Sequence, residues 1–530
     1  MYRVLCLQLL TAALCIGGVA CASSDKVKID SGVLQGSEHE GVLSFKGIPY
    51  AAAPVGNLRW EPPQPVVAWS GVRSATSFGH DCMQLPSPNE AAPAGTTTPG
   101  EDCLYLNIWA PAKRPAEKSA VLVWIHGGGF LNGGSSVPVY DGSAFARDGV
   151  VCVTFNYRLG RFGFFAHPAL TKENPSGLLG NYSYMDEIAA LQWVQRNIAS
   201  FGGDPQKVTI MGESVGGGSV HFLLNSPASK GLFSKGIIQS GGGRAGGSPR
   251  LLHRDATGPG QPPTGETLGI DFAKSQGITG EDSAALAALR KLPPEAIVNG
   301  LNNASRRSSP VLTATAPGPM VDGKLIVSTP QSGYQAGTQV KVPIIVGGNN
   351  SDLAYPQGTT MADFLKPFGA DSEKARAAYD PDHTNDAKAV GERIARDKGQ
   401  LEPARFIARI LSAQGQPVYE YRFSYVAESM RKEWPEGAIH ASEIPYVFDT
   451  VAVRYGKDLA PADAAMAKAI HAYWVAFVKT GNPNGGGQPD WPIYRAPQDI
   501  LVNFTDKGVL IQPDPFKVRL DLTEQTHHTP

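Results

Sequence analysis

The chain has almost no net charge: 47 Lys and Arg stand against 48 Asp and Glu, and only 18% of residues are charged. Such a balance gives no electrostatic footprint for nucleic acid or for an anionic membrane surface. Beyond Val19 no stretch is long and apolar enough to span a bilayer. Cysteine is scarce, six in 530 residues. No clustered Cys/His spacing of the zinc-binding kind occurs, so no metal and no organic cofactor is expected. Internal repeats are also missing, which argues against a solenoid or propeller.

Glycine and proline, by contrast, are plentiful, at 60 and 42 residues, and 42% of the chain is hydrophobic. The first pair implies many turns and long loops; the second allows a large core. Length alone would suggest two or three domains, but α/β enzymes of this size can form one body with insertions.

The N-terminus reads as an export signal. Arg3 supplies a short positive region, Val4 to Val19 is mostly apolar, and Ala20-Cys21-Ala22 offers a small-residue cleavage site before Ser23. Residues 1–22 are therefore expected to be a signal peptide, 23–530 a single domain, and the mature protein secreted or periplasmic. A lipoprotein anchored at Cys21 ranks second, because Gly18 stands where leucine is usual. A buried core helix or a membrane anchor is the bland alternative. Past this segment only Cys82, Cys103 and Cys152 remain. Cys152, inside the run Val150 to Phe155, reads as an inert core thiol. Cys82 and Cys103 flank a Pro- and Thr-rich segment and form a candidate disulfide, with two free thiols as the other possibility.

Val27 to Tyr50 carries short alternating runs that predict an N-terminal antiparallel hairpin. Leu104–Trp109, Ala120–Ile125, Val150–Asn156, Val208–Met211, Gly236–Ser240 and Val342–Val346 read as strands. Between them Met185, Ile188, Leu191, Val194 and Ile198 recur at helical spacing, stopped by Gly202-Gly203. Alternating strands and helices predict a mostly parallel central sheet flanked by helices on both faces. Gly241 to about Gly265 reads as a long loop, and Met361 to Ala413 as a helical cap insertion. Met466, Ile470, Tyr473, Trp474 and Phe477 form the apolar stripe of a late helix.

The chemistry concentrates in three places. Gly212-Glu213-Ser214-Val215-Gly216 lies between the strand ending at Met211 and a stretch that can open a helix. A G-x-S-x-G there is a nucleophile elbow, whose sharp turn lifts the serine hydroxyl clear of the sheet. Upstream, Trp124-Ile125-His126-Gly127-Gly128-Gly129-Phe130 directly follows a strand. The amides of Gly128 and Gly129, with that of Val215, would make a three-donor oxyanion hole; one such donor is worth about 10²–10³ in rate. Serine also needs a base oriented by a carboxylate, in the chain order Ser, acid, His. His440, in a small-residue turn before an apolar run, is the candidate base. Asp352 is the only carboxylate in the segment Gly347 to Leu353 that follows the strand ending at Val346, so it is the candidate acid. Glu213 and Glu443 could tune the site's electrostatics.

These segments resemble the type-B carboxylesterase family, the α/β-hydrolases that include para-nitrobenzyl esterases, animal carboxylesterases and cholinesterases. Glu101-Asp102-Cys103-Leu104-Tyr105-Leu106-Asn107 is similar to a second family signature, and Cys82 sits where the disulfide partner of Cys103 belongs. Phe201-Gly202-Gly203-Asp204-Pro205 and Asn156-Tyr157-Arg158 match as well, so the likeness runs from about Gly32 to Pro492. The resemblance implies an α/β-hydrolase fold and a serine esterase. It makes Ser214 the nucleophile, His440 the general base and acid, and Gly128, Gly129 and Val215 the oxyanion donors. The chain departs from the family at two positions. Val215 replaces the usual alanine, and Asp352-Leu353 stands where glutamate then glycine is usual. Counting from Gly347 puts Asp352 at the acid's place, whereas aligning Asn350-Ser351-Asp352 with a common variant puts Leu353 there. Asp352 is preferred, since Leu353 cannot orient an imidazole.

The expected substrate is a small-molecule carboxylic ester. The loop between Cys82 and Cys103 has no aromatic residue, and cholinesterases place a tryptophan there for cation–π attraction to choline. A bulky xenobiotic or natural-product ester fits better than a choline ester. Arg244, Arg250, His253, Arg254, Arg306 and Arg307 could favour a polyacidic ester such as a tricarballylate-bearing mycotoxin, with solvated surface arginines the simpler reading. A lipase acting on long-chain emulsions and an inert cholinesterase-like binding protein are the remaining alternatives.

Overall fold

Runs such as Ser119–Ile125 (SAVLVWI) and Val151–Phe155 (VCVTF) carry no charge on either face, and every residue of both is buried. That is the mark of a strand covered on two sides. The computed structural model describes residues 25–86, 95–244, 249–256, 261–301, 315–485 and 487–527. Its main sheet has 11 strands. In chain order they are β1 (Ser37–His39), β2 (Val42–Pro49), β3 (Tyr105–Pro111), β4 (Ser119–Ile125), β5 (Val151–Phe155), β6 (Gly203–Glu213), β7 (Lys235–Gln239), β8 (Ile344–Asn349), β9 (Val418–Phe423), β10 (Ile500–Thr505) and β11 (Gly508–Pro513). Across the sheet they run β11-β10-β9-β8-β7-β6-β4-β5-β3-β2-β1. The seven from β10 to β5 are mutually parallel, and antiparallel strands complete both edges.

The two-residue period of β4 divides the core. Val121, Val123 and Ile125 belong to one apolar cluster, together with residues of α1 (Tyr182–Asn197) and α2 (Val215–Asn225). Ala120, Leu122 and Trp124 belong to the other, with Ile470, Trp474 and Phe477 of α3 (Pro461–Thr480). The expected open, helix-covered sheet is thus present, and the ends of its parallel strands converge on one edge, where such sheets carry their sites.

Several elements differ from expectation in detail. Val27 to Tyr50 forms two hairpins rather than one. Lys26–Ile29 pairs with Gly32–Gln35 in a separate three-stranded sheet, and β1–β2 joins the main one. Strands β9, β10 and β11 and the helix Lys517–Thr526 lay outside the expected set. Alternation in β9 (VYEYRF) is hidden because Glu420 and Arg422 are both buried, the latter paired with Asp514 at 2.7 Å. The helical insertion is present but interrupted, by a kink at Gly369 and a π-turn over Asp397–Leu401. It has its own small apolar cluster around Phe364, Phe368, Tyr379 and Val390, completed by Leu522 of the last helix. The signal segment 1–22, with Cys21, lies outside the described residues, as do Arg306 and Arg307. Among the described residues no helix is long and apolar enough to cross a membrane.

Cys82 and Cys103 are joined in a disulfide 21 residues apart, and Cys152 is free and buried. In the chain-entropy model, closing a loop of this size is worth about 3 kcal/mol. Replacing both cysteines by serine should lower the unfolding free energy by about that much, seen as a lower denaturant midpoint at unchanged slope. An unchanged midpoint would show that the cross-link contributes nothing.

Candidate active site

At the junction of β6 and α2 the chain turns within one residue. Ser214 has φ 57° and ψ −125°, a region that side-chain-bearing residues enter at a cost of roughly 1–3 kcal/mol. Its amide donates to the Gln239 carbonyl and its own carbonyl accepts from Gly218, both at 2.9 Å, so the surroundings hold the strain. The flanking glycines are needed for close approach. A Cβ on Gly212 would lie 2.2 Å from the Gly216 carbonyl oxygen, and one on Gly216 would lie 2.1 Å from that of Ile125. Val215 is the first residue of α2, where the leading amides have no intrahelical acceptor.

The glycine loop after β4 reaches the same place. Gly128 and Gly129 have φ values of 109° and 69°, and a Cβ on Gly128 would lie 2.0 Å from the Asn132 carbonyl oxygen. His126 anchors this loop. It is buried, stacks on Tyr157 at 4.3 Å, and receives the Tyr157 hydroxyl on its carbonyl at 2.6 Å. Burial pulls its pKa down to about 4, so its ring is neutral.

His440 and Asp352 come from loops that are stitched together. The Ser351 amide donates to Ala438 O at 2.9 Å, Ala438 N donates to Asn350 Oδ1 at 2.8 Å, and Asn349 Nδ2 donates to Ile439 O at 2.6 Å. This brings His440 Nδ1 within 2.5 Å of Asp352 Oδ1. The same carboxylate accepts from Leu353 N at 2.7 Å, Ser240 Oγ at 2.6 Å and Asn349 N at 3.1 Å. Burial alone would raise the Asp352 pKa, but the His440 charge and these bonds outweigh it and hold the carboxyl below its usual range. With Nδ1 protonated toward Asp352, Nε2 is left to face the cavity.

Nε2 lies 3.0 Å from Glu213 Oε1, outside hydrogen-bond geometry. Ser214 and His440 line one cavity without a hydrogen bond between them, an arrangement that substrate binding commonly tightens. Glu443 sits one layer back, accepting from Asn349 Nδ2 at 2.7 Å and Gln239 Nε2 at 3.1 Å. Burial opposes the charge on His440, yet Glu213 and Asp352 push its pKa up to about 9. Burial first, then the neighbouring carboxylates against His440, leaves Glu213 at about 8.

The cavity measures about 1090 Å³ and contains Ser214, His440, Gly128, Gly129 and Val215 in its lining. Its walls include Phe130, Tyr184, Phe222, Leu325, Ile326 and Tyr355. Among the described residues lining it there is no Lys or Arg. The described arginines among those named from the sequence are not in that lining. Arg244 is buried in an ion pair with Glu402, Arg254 pairs with Glu281 at 2.6 Å, and Arg250 lines a smaller cavity. His253 lies 3.4 Å from Glu266.

Sequence reading had not singled out Ser240 or Asn349, which hold Asp352. Their signal is their place, at or just past the C-terminal ends of parallel strands β7 and β8.

A family model described as "Carboxylesterase family" matches residues 23–517. The chain is also similar to the fumonisin B1 esterase of Sphingopyxis macrogoltabida, 34% identical over 493 residues, covering 90% of this chain and 86% of that protein. With a match across nearly its whole length, a strained serine between β6 and α2 and an open helix-covered sheet, the chain belongs to the carboxylesterase family.

Proposed function

We propose that the protein hydrolyses a carboxylic ester by two-step acyl transfer, with Ser214, His440 and Asp352 as triad. His440 Nε2 takes the Ser214 proton as Oγ attacks the ester carbonyl, and the amides of Gly128, Gly129 and Val215 hold the resulting oxyanion. His440 returns the proton to the leaving alcohol, then activates the water that releases the carboxylate. Asp352 keeps the imidazole in one tautomer and orientation. The 2.5 Å approach of Asp352 to the Nδ1 of His440, whose ring lines one cavity with Ser214, carries this reading. The catalytic unit is taken to be one domain, 23–530, exported after loss of residues 1–22; the disulfide supports export.

An organophosphate probe tests the proposal. Expected is stoichiometric labelling, mapped by mass spectrometry to the peptide containing Ser214, with parallel loss of p-nitrophenyl acetate turnover. Absence of both labelling and turnover would leave the binding-protein reading.

A bulky, largely uncharged ester is the substrate class that the apolar walls support. A second reading, an ester bearing several carboxylates, is favoured by the likeness to the fumonisin B1 esterase. Matched esters of one alcohol, with a neutral and with a tricarboxylate acyl group, separate the two. The lining described above predicts the higher kcat/KM for the neutral ester.

The electrostatics predict the pH profile. Only neutral imidazole accepts a proton, and the His440 pKa is raised from 6.5 to about 9. The acid limb of kcat/KM is therefore expected above 6.5, with activity still rising through neutral pH. Glu213→Gln removes one of the three carboxylates that raise it, so the limb should move to lower pH. Coincident profiles for the two proteins would mean that Glu213 does not act on His440.

A further inference from the structure

The helix that follows Ser214 turns one face to the large cavity along its whole length. Val215, Gly218, Phe222 and Asn225 of α2 recur at helical spacing, and all four line the cavity. Gly218 is the gap in that stripe. It lies one turn from Ser214, about 5.4 Å along the axis, and its amide donates to the Ser214 carbonyl at 2.9 Å.

The other glycines of the lining have no choice. Gly128, Gly129, Gly242, Gly243 and Gly358 take positive φ values, which favour glycine. A Cβ on Gly241 would lie 2.7 Å from Ile238 Cγ2. Gly218 differs from all of these. Its backbone is helical. Outside its own helix, a Cβ there would meet no atom of the described residues nearer than the Gly241 carbonyl oxygen, at 4.0 Å. Glycine in a helix is less favourable than alanine, because it loses more backbone freedom on folding. Neither backbone conformation nor packing therefore calls for glycine at 218. What the missing side chain leaves is open cavity, one turn from the serine hydroxyl.

We infer that Gly218 sets substrate specificity, by leaving room for a branched or ring-bearing group bonded directly to the ester's carbonyl carbon or to its alcohol oxygen. The inference rests on the proposed role of Ser214 as an esterase nucleophile. A linear chain leaves the carbonyl as a narrow column and does not need this space, whereas a group that branches at its first atom does. The neighbours along the stripe, Val215 and Phe222, are apolar, so the group is uncharged.

Steady-state kinetics on the full chain test it with two pairs of esters. Expected for Gly218→Leu is a fall of about tenfold, relative to wild type, in one of two kcat/KM ratios. The ratio of p-nitrophenyl benzoate to p-nitrophenyl acetate falls if the space takes the acyl group. The ratio of phenyl acetate to ethyl acetate falls if it takes the alcohol. Gly218→Ala should lower the same ratio by less and melt at or above the wild-type temperature; it decides the matter if Gly218→Leu fails to fold. Two outcomes overturn the inference. One is both ratios unmoved in every variant that folds, whether or not turnover falls as a whole. The other is a lower melting temperature for Gly218→Ala, which would make the glycine a requirement of the fold. Wild-type protein that turned over none of the four esters would sink the esterase reading itself, and this inference with it.

Discussion

Replacing Ser214 by alanine is expected to lower kcat by about 10⁴-fold or more, leaving only what an oxyanion hole and binding supply. The expectation has two physical parts. Without Oγ no acyl-enzyme forms, so the reaction falls back on direct attack by water. Yet Oγ makes no hydrogen bond among the described residues, and the elbow is held through the backbone of Ser214 by Gln239 and Gly218. The variant should therefore fold normally and bind substrate with a Kd near the wild-type KM. Steady-state kinetics with a thermal melt separate loss of chemistry from loss of fold. A variant that keeps more than a few per cent of wild-type kcat would remove Ser214 from the mechanism.

The second large effect is expected at Asp352. Asp352→Asn should reduce kcat by about 10³–10⁴-fold, because the amide reverses the donor and acceptor pattern facing His440. In the native site every bond to this carboxylate is a donation to it, from His440 Nδ1, Leu353 N, Ser240 Oγ and Asn349 N. An asparagine NH₂ must face one of these donors, or the ring must flip its tautomer and lose the basic Nε2. A merely structural role would not move the titration of the histidine. Asp352 is one of the three carboxylates that raise the His440 pKa, so the acid limb of the residual activity should shift downward. Near wild-type kcat in Asp352→Asn, or an unshifted limb, would mean that another group orients His440.

Much of this site was legible because its pieces are local. The elbow needs only Gly212, Ser214 and Gly216 within five residues, between a strand and a helix start, and backbone sterics do the rest. The glycine run after β4 is legible for the same reason. Glu420 and Arg422 in β9 show the opposite case. Charged residues on a strand suggest solvent, and only the Arg422–Asp514 pair, 92 residues apart, explains how Arg422 is buried, while burial pushes the Glu420 carboxyl up to about 8.

The division between sequence and tertiary structure follows contact range. By itself the sequence determined the alternation of strands and helices, the turn that carries Ser214 and the glycines opposite it, all set by neighbours a few residues away. It left the choice between Asp352 and Leu353 open, because spacing along a loop does not say which side chain faces inward. That is decided by the pairing of Ser351 with Ile439, 88 residues on, which aims the Asp352 carboxylate at the His440 ring and leaves Leu353 to donate its amide. The arginines show the same limit: their place along the chain suggested a charged gorge mouth, and the folding of distant Glu402 and Glu281 against them turned Arg244 and Arg254 into ion pairs instead. Where a side chain's partner lies far along the chain, only the closed structure supplies the charge that decides its role.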